Sequence, residues 1–286
     1  MIKSKENIGI LFGALAFFIF ATSDVLQKYA TINHTIFQII FFRYLFLLII
    51  SFVESKRKNN HYFYKTNNIK LQLSRSLISV LETVFFVSSF KYLSLATVHS
   101  VASLAPVFVV ILSMLILKEK IEKRLWFIIF FGFIGVIVIL RPGFDIFDIK
   151  SLLPLGAGFF FGLYQVITKK ASQYDSDETS LFYTSIFGLV IISFLILIYW
   201  HPFTLISYFL LPLIGLMMTL AHYSLIIGLA RAPASKIQPF HFTLIFWAIV
   251  FGYLFYNDIP DIPTLFGASI IALSGIFLIR NQTKTN

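Results

Sequence analysis

The sequence predicts an all-α, polytopic membrane protein of ten transmembrane helices, arranged as two inverted five-helix repeats over residues 1–145 and 146–286. Three observations carry this expectation. Apolar blocks of membrane-spanning length recur along the chain, the basic residues sort to one side when those blocks are threaded through a bilayer, and stretches of the first half return in the second. With 58% of 286 residues hydrophobic and 13% charged, the bilayer is the solvent.

Requiring about 20 mostly apolar residues per span places the elements at 7–27, 34–53, 74–92, 97–117, 125–141, 151–168, 180–199, 206–229, 237–256 and 263–280. The first span begins like a signal peptide after Lys3 and Lys5, but no small-residue cleavage site precedes Asp24, so it is read as retained. Short links join most of the others. The one sizeable connection, 54–73, holds Lys56, Arg57, Lys58, Lys65 and Lys70 and leaves no room for a separate soluble domain. With a cytoplasmic N-terminus the outer side receives only Lys28, Lys91, Arg141 and Lys150, whereas the other loop and span-end bases, Arg75 among them, fall on the cytoplasmic side. An even span count returns the C-terminus to the cytoplasm, and a bacterial inner membrane is the expected location.

The formal charge of +10 follows from this sorting, because the bases lie between apolar spans and form no stripe for nucleic acid. The absence of cysteine excludes disulfides, thiolate metal sites and thiol nucleophiles.

The duplication is the more informative feature. Residues 18–30 (FIFATSDVLQKYA) align without a gap on 159–171 (FFFGLYQVITKKA), and 92–97 (YLSLAT) align on 230–235 (ARAPAS). Glu119 falls opposite Asp258, and Gly135 opposite Gly275. Five spans per copy force the second copy to enter the membrane from the opposite side. Such inverted repeats are typical of secondary transporters, whose site lies at the repeat interface.

The chain resembles the drug/metabolite transporter superfamily in its two-copy EamA branch. The likeness rests on Phe41-Phe42-Arg43-Tyr44, Ala105-Pro106-Val107-Phe108, Leu117-Lys118-Glu119-Lys120 and the run from Gly132 to Leu140. Within that branch it is similar to the S-adenosylmethionine uptake carriers of obligate intracellular bacteria. The resemblance implies a small polar metabolite as substrate, S-adenosylmethionine first, and no cofactor, with export of amino acids or other metabolites as the alternative. The second copy departs from the pattern at Gln238-Pro239 and at Asp258.

An ionised group near the bilayer midplane costs about 2.5–3.5 kcal/mol on insertion scales, so intramembrane polar residues are the candidate site. Asp24 is either a contact for a cationic substrate group or a helix-end residue at the interface. Glu82, bracketed by apolar stretches, is a countercharge, a proton-coupling carboxylate or half of an ion pair. Arg43 meets a substrate carboxylate or pairs with Glu82. Tyr164 and Gln165 stand at the repeat equivalents of Ser23 and Asp24, and His222, Gln238 and His241 add polar groups to later spans. Trp247 is a stacking candidate for an adenine ring, against the reading that it simply packs. Pro106, in the middle of a span, is the candidate hinge, whereas Pro239 lies near a helix start.

Catalysis is not expected. The sequence lacks His-Glu-x-x-His, a Gly-x-Ser-x-Gly elbow, a Walker loop and a carboxylate cluster for paired metals. A channel is disfavoured by the absence of a filter-like loop. The expected partners are therefore a small-molecule substrate and the lipid bilayer.

Overall fold

The computed structural model describes residues 2–118, 123–141, 149–231, 240–241 and 243–282. Among them every regular element is helical. The helices are α1 (Ile2–Asn33), α2 (Ile36–Arg57), α3 (Ile69–Phe90), α4 (Leu95–Ala102), α5 (Ala105–Leu112), α6 (Lys123–Leu140), α7 (Leu152–Ala171), α8 (Asp177–Ile198), α9 (Ser207–Arg231), α10 (Thr243–Tyr256) and α11 (Ile262–Gln282).

Local chemistry sets the ends. Thr35 starts α2 with a capping box: its side chain accepts from the Gln38 N–H while Gln38 reaches back to the Thr35 N–H. Asn68, Ser94 and Ser176 cap α3, α4 and α8 in the same sense. Asp177 and Glu178 sit in the first turn of α8, and Lys169 with Lys170 in the last turn of α7, each complementing the helix dipole.

Seven segments are long and apolar enough to cross a membrane, from residues 6–33, 36–57, 69–90, 95–117, 149–171, 177–198 and 207–225. Three shorter apolar helices, Phe130–Leu140, Thr243–Tyr256 and Ile262–Leu273, accompany them among the described residues. Large apolar side chains such as Phe194 (68% exposed) and Leu197 (80%) project from the outer surface. That surface suits hydrocarbon and not water.

The fourth of the long segments is broken. Ser103 and Leu104 form a turn, α5 restarts with Pro106 in its first turn, and a π-helical turn at Ser113–Leu117 ends on Lys118 in the left-handed region at φ 57°. Proline needs no amide donor at that place, so the interruption costs no hydrogen bond at Pro106 itself.

The helices pack in pairs across the two halves. α1 lies along α9, α3 along α7, α2 against α8 and α9, α6 against α11, and α10 against α1 and α4. Close approach of α2 and α9 requires Gly215, where a Cβ would stand 2.5 Å from the Phe42 carbonyl oxygen. The largest apolar core lies along these contacts, with Phe17, Ile39, Ile40, Tyr44, Leu211 and Ile214 almost wholly buried.

Two of the sorted bases are held by protein groups. Arg75, near the start of α3, is only 2% exposed. It donates to the Ser180 carbonyl and the Thr184 hydroxyl of α8, so its charge is solvated by protein groups within the bundle. Lys28 is bound to Asp258 at 2.8 Å, which ties the end of α1 to the segment after α10.

Candidate functional site

Phe17, Phe20, Asp24 and Gln27 recur at three- and four-residue spacing and so form one stripe on α1. Phe17, Phe20 and Asp24 line a cavity completed by Glu82 and Phe86 of α3, His99 of α4, Phe161 of α7, Met218 and His222 of α9, and His241 before α10. Its volume is about 60 Å³. Gly158 on the α7 wall lets that helix approach the last turn of α4, since a Cβ there would meet the Ala102 carbonyl at 3.0 Å.

Two polar clusters divide this space. In the first, Asp24 is 1% exposed, accepts a hydrogen bond from Gln27 Nε2 at 2.7 Å, and has Oδ2 3.1 Å from Nε2 of His99, itself 3% exposed. Asp24 therefore lies inside the bundle, nine residues before α1 ends, and not at an aqueous helix terminus.

In the second cluster Arg43 donates to the Thr83 hydroxyl and to His222 Nε2 at 2.9 Å, and its guanidinium stands 3.7 Å from Glu82 Oε2. Thr83 also hydrogen-bonds Glu82 Oε2 at 2.9 Å. Arginine only donates, so His222 Nε2 accepts, and the ring proton sits on Nδ1, which donates to the Met218 carbonyl at 2.9 Å. Glu82 compensates the Arg43 charge through this network, as a buried guanidinium requires.

Asp24, Glu82, His222 and His241 thus come together around one cavity, with Arg43 immediately behind. Tyr164 lies elsewhere, under Arg75, whose guanidinium carbon is 5.5 Å from the ring centroid. Gln165 is half-buried on α7. Trp247 stacks on Phe251 and meets Phe18 edge-on, outside the cavity lining. Pro106 is buried just beyond the break between α4 and α5. Gln238 and Pro239 fall outside the described residues.

Sequence reasoning passed over His99, the partner of Asp24. Its signal was a histidine followed by Ser100 inside the otherwise apolar 97–117 block, the same kind of signal that singled out His222 and His241.

The comparisons agree with this architecture. The chain is 28% identical over 284 residues to the S-adenosylmethionine uptake transporter of Rickettsia bellii, covering 97% of this chain and 95% of that one. It is 35% identical over 181 residues to the riboflavin transporter of Vibrio cholerae, covering 63% and 61%. It is 23% identical over 286 residues to the pseudopaline exporter CntI of Pseudomonas aeruginosa, covering 99% of both. A solved crystal structure superposes with a TM-score of 0.69 at 13% identity over 96% of this chain and 97% of that one, which extends the likeness to the fold. A multi-pass transporter, and not an enzyme, is what these relatives and the apolar helices indicate. The EamA-like transporter family matches twice, over residues 7–141 and 149–281, and the chain belongs to that family.

Proposed function

We propose that the chain is a secondary transporter that takes up S-adenosylmethionine across a bacterial inner membrane by alternating access. It has ten spans in two inverted repeats, residues 1–145 and 146–286, with both termini cytoplasmic. The observation that carries this reading is the placement of two acids, Asp24 and Glu82, around an aromatic-lined cavity inside a bundle whose outer surface is apolar. Intramembrane acids facing a cavity mark substrate pathways.

The repeat architecture is supported by the two family matches and by the packing pattern. If α1, α2 and α3 correspond to α7, α8 and α9, then α1 on α9 and α3 on α7 are the same contact seen twice. So are α2 on α9 and α3 on α8, as well as α10 on α1 and α4 on α7. A pseudo-two-fold axis generates such pairs without further assumption.

The substrate class is supported by the chemistry of the lining. The acids compensate a sulfonium, and Phe17, Phe20 and Phe161 offer ring faces and edges to an adenine. Arg43, already engaged with Glu82, holds that carboxylate in place and receives a substrate carboxylate when the pair separates. A volume of about 60 Å³ admits waters and no nucleoside. Loading requires the walls to part, and Tyr164, Gln165, Gln238 and Trp247 are proposed to join the pathway then, with Pro106 as the hinge.

The test is uptake of labelled S-adenosylmethionine by proteoliposomes, challenged with S-adenosylhomocysteine, riboflavin and amino acids. Saturable uptake inhibited by S-adenosylhomocysteine is expected; none would reject the substrate. Glu82→Gln is expected to remain inserted and to lower uptake by about tenfold or more, a loss of roughly 1.4 kcal/mol or more. Unchanged kinetics would remove Glu82 from the site. The similarity to a named exporter over 99% of both chains favours a second reading, export of another small metabolite. Counterflow with riboflavin or amino acids in the absence of S-adenosylmethionine uptake would select it.

A further inference from the structure

The two polar clusters differ in what they allow a proton to do. Arg43, Glu82, Thr83 and His222 form a closed unit in which every charge has its partner. A proton added to His222 Nε2 would face the guanidinium 2.9 Å away and break the acceptor role that holds it. This unit has net charge zero and needs no proton to balance it.

The Asp24–His99 pair is different. Its other close partner is Gln27, a neutral donor. His99 Nε2–H donates to Asp24 whether or not the second ring nitrogen is protonated, so the contact at 3.1 Å survives in both states. The pair is then either neutral overall or carries one negative charge. Among the described residues the one cation that also acts on Asp24 is Arg43, and its single charge is already matched by Glu82. Lys28, one turn further along α1, is engaged by Asp258 and by the Leu93 carbonyl. Glu82 faces the same cavity and is compensated by Arg43. Tyr44 bonds Ser79, and Tyr256 donates to the Val25 carbonyl. His241, packed against the rings of Phe17 and Phe161, is the remaining imidazole at the cavity and therefore the rival seat for a proton.

We propose that the Asp24–His99 pair holds the one exchangeable positive charge of the cavity, a proton when no cation is bound and the cationic group of the substrate otherwise. An uncompensated charge in this setting is costly, so the two occupants replace each other and do not leave together. Resting on the substrate reading above, the inference makes the carrier an electroneutral exchanger. S-adenosylmethionine bears a sulfonium that S-adenosylhomocysteine lacks. Binding of the first from outside expels the proton from the pair to the outer solution. After inward release, the pair takes a proton from the inner solution, and the uncharged thioether leaves with it. One positive charge enters with the sulfonium and one leaves as the proton, so the cycle balances.

The experiment uses proteoliposomes loaded with S-adenosylhomocysteine, labelled S-adenosylmethionine outside, a pH dye in the outer solution and a potassium–valinomycin clamp. One proton is expected outside for each S-adenosylmethionine that enters, at a rate indifferent to the clamped potential. In Asp24→Asn the protons released per substrate bound fall to none, a ratio that does not depend on how much protein is folded. In His99→Gln the dependence of uptake on outer pH flattens. Entry by the wild type without protons, or accelerated by an inside-negative potential, would overturn the proposal while leaving the carrier reading intact. Loss of the proton signal in His241→Gln alone, with the other two variants normal, would overturn it as well. No flux by the wild type would instead reject the substrate reading, and this inference with it.

Discussion

The two ends of the bundle are fastened differently. At the end carrying the α2–α3 loop, the proposed cytoplasmic side, Asp175 accepts from Thr66, from the Asn67 amide and from Gln72, and Asn67 also donates to the Tyr174 carbonyl. Lys58 pairs with Glu178, Asn60 donates to Ser176, Tyr183 donates to the Tyr64 carbonyl, and Arg57 donates to Tyr223. These bonds join the first half of the chain to the second through two loops. Among the described residues the opposite end shows fewer such bonds: Lys28 with Asp258, Arg141 with Asp261, the Gln38 amide on the His201 carbonyl, Ser207 with His34, and Tyr256 on the Val25 carbonyl. Many bonds sharing one acceptor must break together, whereas a partly exposed ion pair is worth about 0–1 kcal/mol. On this comparison the cavity is expected to open more cheaply toward the Lys28 end.

The largest expected effect comes from the densely bonded end. Asp175→Ala removes the acceptor shared by Thr66, Asn67 and Gln72. It is expected to cost about 1–2 kcal/mol in detergent unfolding, the lower part of the range for bonds to a charged group because the site is half-exposed. It should also raise labelling of the cavity from that side. The chain has no cysteine, so Ala157→Cys on the α7 wall supplies a single reporter thiol. If labelling from that side stays flat while stability falls, the clip is structural and does not gate the cavity.

Lys28→Ala follows with a smaller effect. Stability is expected to change by less than about 1 kcal/mol, whereas labelling of the Ala157→Cys thiol from the Lys28 end increases. Equal labelling from both sides in the parent protein would break the comparison, since it would mean that neither end opens more readily.

How much of this was legible in the sequence depends on whether a residue carries its own signal. Long spans are legible because 18 or more apolar residues have few alternative homes, and seven segments meet that measure. Asp24 and Glu82 stood out because a carboxylate in an apolar run is costly wherever it points. Arg75 carried no such signal, because it lies near a span boundary, where a base is as much at home in water as in protein. Its burial depends on the Ser180 carbonyl and Thr184 hydroxyl, which only the packing of α8 brings near. Tyr164 was placed by alignment with Ser23, yet its neighbour is Arg75, because alignment gives a position in the repeat and not a partner. Among 35 phenylalanines nothing in the pattern distinguishes Phe17, Phe20, Phe86 and Phe161, which line the cavity, from those facing lipid.

The smallest expected effect is a flat response, and it separates the ends from the cavity. Burial alone would raise the Asp175 carboxyl, but hydrogen bonds from Gln72, Thr66 and the Asn67 amide outweigh it and hold the group below its ordinary 3.8. At the other end burial likewise pushes Asp261 up, and Arg141 with Thr264 brings it below the same value. A carboxyl lowered in the folded state contributes stability above its unfolded value and loses it as the pH falls through the folded one. Both fastenings therefore persist from about pH 5 to 8 and loosen only in stronger acid. The ratio of labelling from the two sides of Ala157→Cys cancels the thiol's own titration, so it should be level over that interval. A slope that disappears in Asp175→Asn would assign the pH response to the loop clip. A level ratio together with pH-dependent transport would leave the response with the buried groups around Asp24.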